Sequence, residues 1–151
     1  MKRKQGIFRF LVLIILLLTL TGCLGSGPSD PKSAVISMFG AMEKDYQAAL
    51  AHLLDLPELM RTINEDYALK LDSPREFTNP VQILEDLTGD GLTKQRWFSL
   101  QRIIGDTHVT GESATVEVTF VDKGASAGYR TKFGLHVKNG KWKIYSFKVL
   151  Q

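Results

Sequence analysis

The spacing of apolar residues changes period once, near Gly91. Before it they recur every three or four positions, and beyond it they alternate. Val35, Met38, Phe39, Met42, Tyr46, Ala49, Leu50 and Leu53 make one helical stripe. Ser29 or Asp30 can cap this stripe and Pro31 suits its first helical position. A break near Lys44-Asp45 would split it into a helix and a second, shorter one. Pro57 opens a further stretch with Leu59, Met60, Ile63, Tyr67 and Leu71 on one side. Asn79-Pro80 starts a short helix through Leu87, which Thr88-Gly89-Asp90-Gly91 ends. Four strands are predicted between Arg96 and Val149, the first in the aromatic and β-branched run Arg96 to Ile104. Val116, Val118 and Phe120 alternate with polar residues, as do Tyr129, Thr131, Phe133, Leu135 and Val137. Trp142, Ile144, Tyr145, Phe147 and Val149 follow, and Asn139-Gly140 is a strong hairpin signal between the last two strands. Strands joined in succession by short turns form an antiparallel meander. Helices first and strands afterwards predict an α+β domain, with helices packed on one face of the sheet. Trp142 is expected to be largely buried, and Tyr46 and Tyr67 fall in apolar helical stripes, where packing explains them.

The start of the chain obeys a different rule. Met1 to Arg9 is basic, Phe10 to Leu20 is an uncharged run of eleven residues, and Thr21 and Gly22 are small. Eleven helical residues rise about 16 Å, against roughly 30 Å for the hydrocarbon core of a bilayer. The pattern predicts a secretory signal rather than a membrane span. Leu20-Thr21-Gly22-Cys23 resembles the lipobox of bacterial lipoproteins. The resemblance implies a signal peptide over 1–22, diacylglycerol on the Cys23 sulfur, cleavage before Cys23 and a palmitate-type acyl chain on the new amino group. Residues 23–30 then form a lipidated cysteine and a Gly, Ser and Pro tether, and 31–151 form the domain. The lipid bilayer becomes a partner through acylated Cys23. Leu24, rather than Asp, after the cysteine resembles the pattern for the outer membrane in a two-membrane bacterium. In a one-membrane bacterium the anchor would hold the outer face of the plasma membrane.

Charge changes meaning once the leader is set aside. Lys2, Arg3, Lys4 and Arg9 precede Cys23, so 15 of the 19 basic residues and all 16 acidic ones follow it, a net charge of −1. The basic balance of the whole chain therefore belongs to the leader, and nucleic acid is not an expected partner. The charged residues after Cys23 read as spread along the chain. Cys23 is the lone cysteine, which leaves no thiol for a disulfide, a metal site or a nucleophile. His52, His108 and His136 lack ligand spacing, and Asp86 to Gly91 lacks the twelfth-position Glu of a calcium loop, since Trp97 stands there. No metal and no cofactor is expected, nor does any phosphate loop or nucleophile elbow occur.

Helices followed by an antiparallel meander ending in Asn139-Gly140-Lys141-Trp142-Lys143-Ile144, with the Phe39 to Leu50 segment before it, resemble the nuclear-transport-factor-2-like superfamily. The likeness is greatest to its small exported lipoproteins, often described as lumazine-binding-like, and covers about Pro31 to Val149. It implies a curved four-stranded sheet and helices closed into a cystatin-like cone around a pocket. Candidate pocket residues are Tyr46, Tyr67, Trp97, Tyr129, His136 and Trp142, with Asp45 as an acid. No catalytic residue is singled out. The favoured expectation is a non-catalytic envelope lipoprotein that binds a small ligand or a protein partner. The alternatives are a cone-pocket enzyme of isomerase or dehydratase type, and a structural subunit of an envelope assembly.

Overall fold

The computed structural model describes residues 28–70, 76–125 and 127–150, with the side chains of 67–70 left aside. The leader, the lipobox and Cys23 lie outside the described residues. Five helices precede four strands: α1 (Pro31–Glu43), α2 (Gln47–Leu53), α3 (Leu56–Lys70), α4 (Pro80–Asp86) and α5 (Leu92–Phe98), then β1 (Gln101–Thr110), β2 (Ser113–Asp122), β3 (Ala127–Lys138) and β4 (Lys141–Leu150). Local chemistry starts the helices. Asp30 accepts from the Ser33 amide and Pro31 opens α1. Asn79 caps α4 in a reciprocal box with Gln82. Asp45, at φ 54°, resets the chain between α1 and α2. That reset moves Tyr46 off the apolar stripe: it caps α2 at 59% exposure, so the expectation of a packed Tyr46 is corrected.

The sheet is an antiparallel meander in the order β1-β2-β3-β4. Asn139 and Gly140 both take positive φ, as a type I′ hairpin turn demands. Irregularities interrupt the pairing between Ile104 and Thr107 on β1 and between Gly134 and Leu135 opposite β4. The first sets Gly105 and Asp106 against Glu117, and the second leaves Tyr145 as an extra residue on β4. Such bulges bend and twist the strands that carry them. Gly134 lies at the second bend, where an added Cβ would stand 2.4 Å from Ser146 Oγ and 3.0 Å from the Tyr145 ring. Any side chain there would require Ser146 and Tyr145 to shift.

The core lies between the helices and the inner sheet face. From α1 come Val35, Met38, Phe39 and Met42, and from the strands Val116, Val118, Phe120, Phe133, Leu135 and Ile144, all buried. Phe39, Trp97, Phe120, Phe133 and Phe147 form one aromatic cluster with ring centroids 5.1–6.2 Å apart.

Two expectations are corrected here. The aromatic stretch beginning at Arg96 does not open the first strand: Trp97 and Phe98 end α5, and β1 starts at Gln101. Its aromatic content reflects burial of Trp97 in the cluster, and tertiary packing overrides strand propensity. Trp142 packs against the core but is only half-buried. It stands close to the hairpin turn, opposite Val137 at the end of the sheet.

Candidate functional site

A cavity of about 310 Å³ opens between the helices and the inner faces of β3 and β4. Ile63 and Asp66 of α3 line it with Phe77 and with Ile83, Asp86 and Leu87 at the end of α4. Thr93, Arg96 and Trp97 come from α5, Tyr129 and Thr131 from β3, and Phe147 and Val149 from β4. Seven apolar residues share the wall with six polar or charged ones, two acids and Arg96 among them. Alternation along β3 places Tyr129 and Thr131 on the inner face, with Arg130 pointing away.

Tyr129 is fixed from both sides. Its ring stacks on Phe120 at 5.0 Å, and the Arg96 guanidinium lies 4.7 Å from the ring centre. Burial raises the pKa of its phenol; Arg96 and Trp97 oppose the rise. Neither makes a well-formed hydrogen bond to the hydroxyl, which is buried without a partner among the described residues. Thr131 repeats the situation one step along. It is 1% exposed, its row neighbours are Val118 and Val149, and its hydroxyl also lacks a partner. A valine would fill the same space with no hydroxyl to satisfy. A buried unpaired hydroxyl costs about 1–3 kcal/mol. Thr107 on β1 carries the third such oxygen and does not line the cavity. Two acids complete the wall: Asp66 on α3, and Asp86, which is buried and accepts from the Thr93 amide at 3.4 Å.

The structure thus brings Trp97 and Tyr129 to one cavity and places the other candidates elsewhere. Tyr46 is on the surface, and Asp45 beside it bonds Lys94 at 2.5 Å and the Gly89 amide, which lower its pKa. Trp142 does not line the cavity. The Tyr67 side chain lies outside the described residues.

His136 belongs to a second cluster, on the outer face of the sheet. Its Nε2 is 2.9 Å from Asp55 Oδ2, and Lys138 Nζ donates to the same oxygen at 2.8 Å. The imidazole stacks on Tyr145 at 4.9 Å. Asp55 is 5% exposed, and its amide donates to Ile144 O at 2.8 Å, locking the α2–α3 junction to β4. Burial acts to raise the Asp55 pKa, but the bonds from Lys138 and His136 outweigh it and hold the carboxyl below its usual value. Sequence reasoning missed Asp55. Its one signal was an acid inside the apolar run Leu53-Leu54-Asp55-Leu56. Asp66, Asp86, Arg96 and Thr131 were also missed as lining, because single polar residues in helices and strands carry no spacing motif.

No family model and no curated relative matches the chain. Solved structures do. A five-fold substituted form of a protein named Rd1NTF2_05 superposes with a TM-score of 0.50 over 76% of this chain and 91% of its own, at 13% identity. The fold is nuclear-transport-factor-2-like. An NTF2-like protein of unknown function from Cytophaga hutchinsonii aligns over 85% of this chain and 93% of its own, at 11% identity and a TM-score of 0.42. A de novo designed protein with a curved β-sheet covers 81% of this chain and all of its own, at 11% identity and 0.44. At these identities the likeness concerns fold alone. The expectation of helices packed on a curved four-stranded antiparallel sheet is met.

Proposed function

We propose that this chain is an exported, lipid-anchored envelope protein whose nuclear-transport-factor-2-like domain binds a small molecule in the cone cavity without converting it. The single observation behind the binding is the pair of unpartnered hydroxyls, Tyr129 and Thr131, in the cavity wall. A ligand with an apolar body and a polar group that reaches both oxygens would remove the desolvation cost they now carry. The anchor rests on Leu20 to Cys23 behind a short hydrophobic run. Acyl chains on that cysteine contribute about 0.8 kcal/mol per buried CH₂.

Protein released from membranes in mild detergent should carry a bound small molecule in native mass spectra. Thr131→Val should lose that species while staying folded. Retention of the same species by both Thr131→Val and Tyr129→Phe would remove the basis for the reading. Mass spectra of the same material should show acylated Cys23 at the N-terminus, and a mature chain starting elsewhere with a free thiol would refute the anchor.

A second reading has its own support. Asp66, Asp86, Arg96 and Tyr129 converge on one cavity, the kind of grouping that acid–base chemistry needs. It predicts that the bound molecule, isolated and added back, is converted to a second species, and that Asp66→Asn abolishes the conversion but not the binding.

A further inference from the structure

The last two strands carry a charge asymmetry that the cavity does not use. From Ala127 to Leu150 there are six Lys and Arg and no Asp or Glu. Pro31 to Phe98, the helical part, holds eleven acids against seven bases. Pairing then sorts the cations onto one surface, because directly opposed residues in an antiparallel pair share a face. Lys132 stands opposite Lys148, His136 opposite Lys143, and Lys138 opposite Lys141; Arg130 lies on the same side. That side is the outer one, since Thr131, Phe133 and Leu135 fill the inner face; the α2–α3 junction reaches round its β4 edge, where Asp55 binds His136 and Lys138 and Lys143 donates to His52 O. Like charges directly opposite one another destabilise a sheet. The neutralising groups are few. Glu117 approaches Arg130 at 3.8 Å and Lys132 at 3.9 Å, and Asp55 serves Lys138 and His136.

We infer that the outer face of β3 and β4 is a docking surface for the anionic headgroups of a lipid bilayer. The cation rows run from Arg130 to Lys138 on β3 and from Lys141 to Lys148 on β4, about 23–26 Å, a broad surface rather than a pocket for one ion. The net charge of −1 after Cys23 gives the domain no overall attraction to an anionic surface, so the attraction resides in this face. With the helical side acidic, the same field turns that side away from the membrane and leaves the cavity's helical walls facing outward. Four residues lie between Cys23 and Pro28, at most about 18 Å of chain, which would hold the domain near the bilayer. A second copy of the domain on the same face would set like charges against each other.

The inference uses the lipid anchor only for proximity, and its test uses protein with no acyl chain, so the two readings fail separately. The chain from Cys23 onward, with Cys23→Ser, is mixed with sucrose-loaded vesicles of phosphatidylcholine containing 30% phosphatidylglycerol, or of phosphatidylcholine alone, and sedimented. The expected result is binding to the anionic vesicles only, falling as NaCl rises from 20 to 300 mM. A basic residue near an anionic surface contributes about fivefold in partition. The triple variant Lys132→Gln, Lys141→Gln, Lys148→Gln should therefore bind at least tenfold more weakly. Lys32→Gln with Lys123→Gln, away from the face, should match the parent. Circular dichroism checks that the triple variant is folded, which is expected because it relieves cation pairs. Equal binding to both vesicle types, no binding at 20 mM NaCl, or a triple variant that binds like the parent overturns the inference. Retention on immobilised polyglutamate without vesicle binding also overturns it, in favour of an acidic protein partner.

Discussion

The two faces of the sheet depart from simple rules in opposite ways. The inner face is a packed apolar surface with two hydroxyls where valine and phenylalanine would fit, and the outer face sets cation beside cation. Both departures lie on β3, on alternating residues of one strand. The unpartnered hydroxyls carry a desolvation cost, and the directly opposed cations repel one another. The contrast teaches that the informative residues of this protein are those that packing alone would have chosen differently. By that standard Trp97 is structural although it lines the cavity, since the aromatic cluster accounts for it. Thr131 looks like an ordinary strand residue, yet packing does not account for its buried hydroxyl.

The largest effect expected concerns the structural side of the contrast. Trp97→Ala should lower unfolding free energy by about 3–5 kcal/mol in urea denaturation, because Phe39, Phe120, Phe133 and Phe147 all lose a ring contact. A loss under 1 kcal/mol would show that Trp97 serves the cavity rather than the core.

Asp55→Asn should cost about 2 kcal/mol, since two charge-assisted bonds are lost at a buried oxygen. The pH dependence has a fixed sign. The folded-state pKa of Asp55 lies below its unfolded value, so its contribution is present above the unfolded pKa, near 4, and disappears as pH falls through the folded value. Thermal melts from pH 7 to pH 2 should therefore show a smaller acid-induced drop in the variant than in the parent. Equal drops would mean that the cation partners do not hold Asp55 in solution.

Thr131→Val should act in the other direction and stabilise the ligand-free domain by about 1–2 kcal/mol, by removing an unpaired buried hydroxyl. Loss of stability instead would show that the hydroxyl is already satisfied, and the two faces would no longer be comparable. The smallest effect belongs to the outer face. Lys148→Glu, opposite Lys132, should stabilise by about 0.2–1 kcal/mol in the same denaturation experiment at low salt. An unchanged or lowered stability would indicate that the cation rows are not strained.

What the sequence by itself determined is local. The caps at Asp30 and Asn79, the break at Lys44-Asp45, the Asn139-Gly140 turn and the order of helices and strands are legible because each signal acts within about four residues of the chain. Periodicity also identified the inner face of β2 and β3, but it read the Arg96 stretch as strand, because aromatic residues satisfy burial equally well on α5. Only the tertiary structure decided the rest. Asp55 meets His136 across 81 residues of sequence. The cavity draws its wall from three helices and two strands, and the charges that looked scattered along the chain become rows only through strand register. Such groupings depend on which segments pack together, a balance of burial over the whole core that no short stretch of residues encodes.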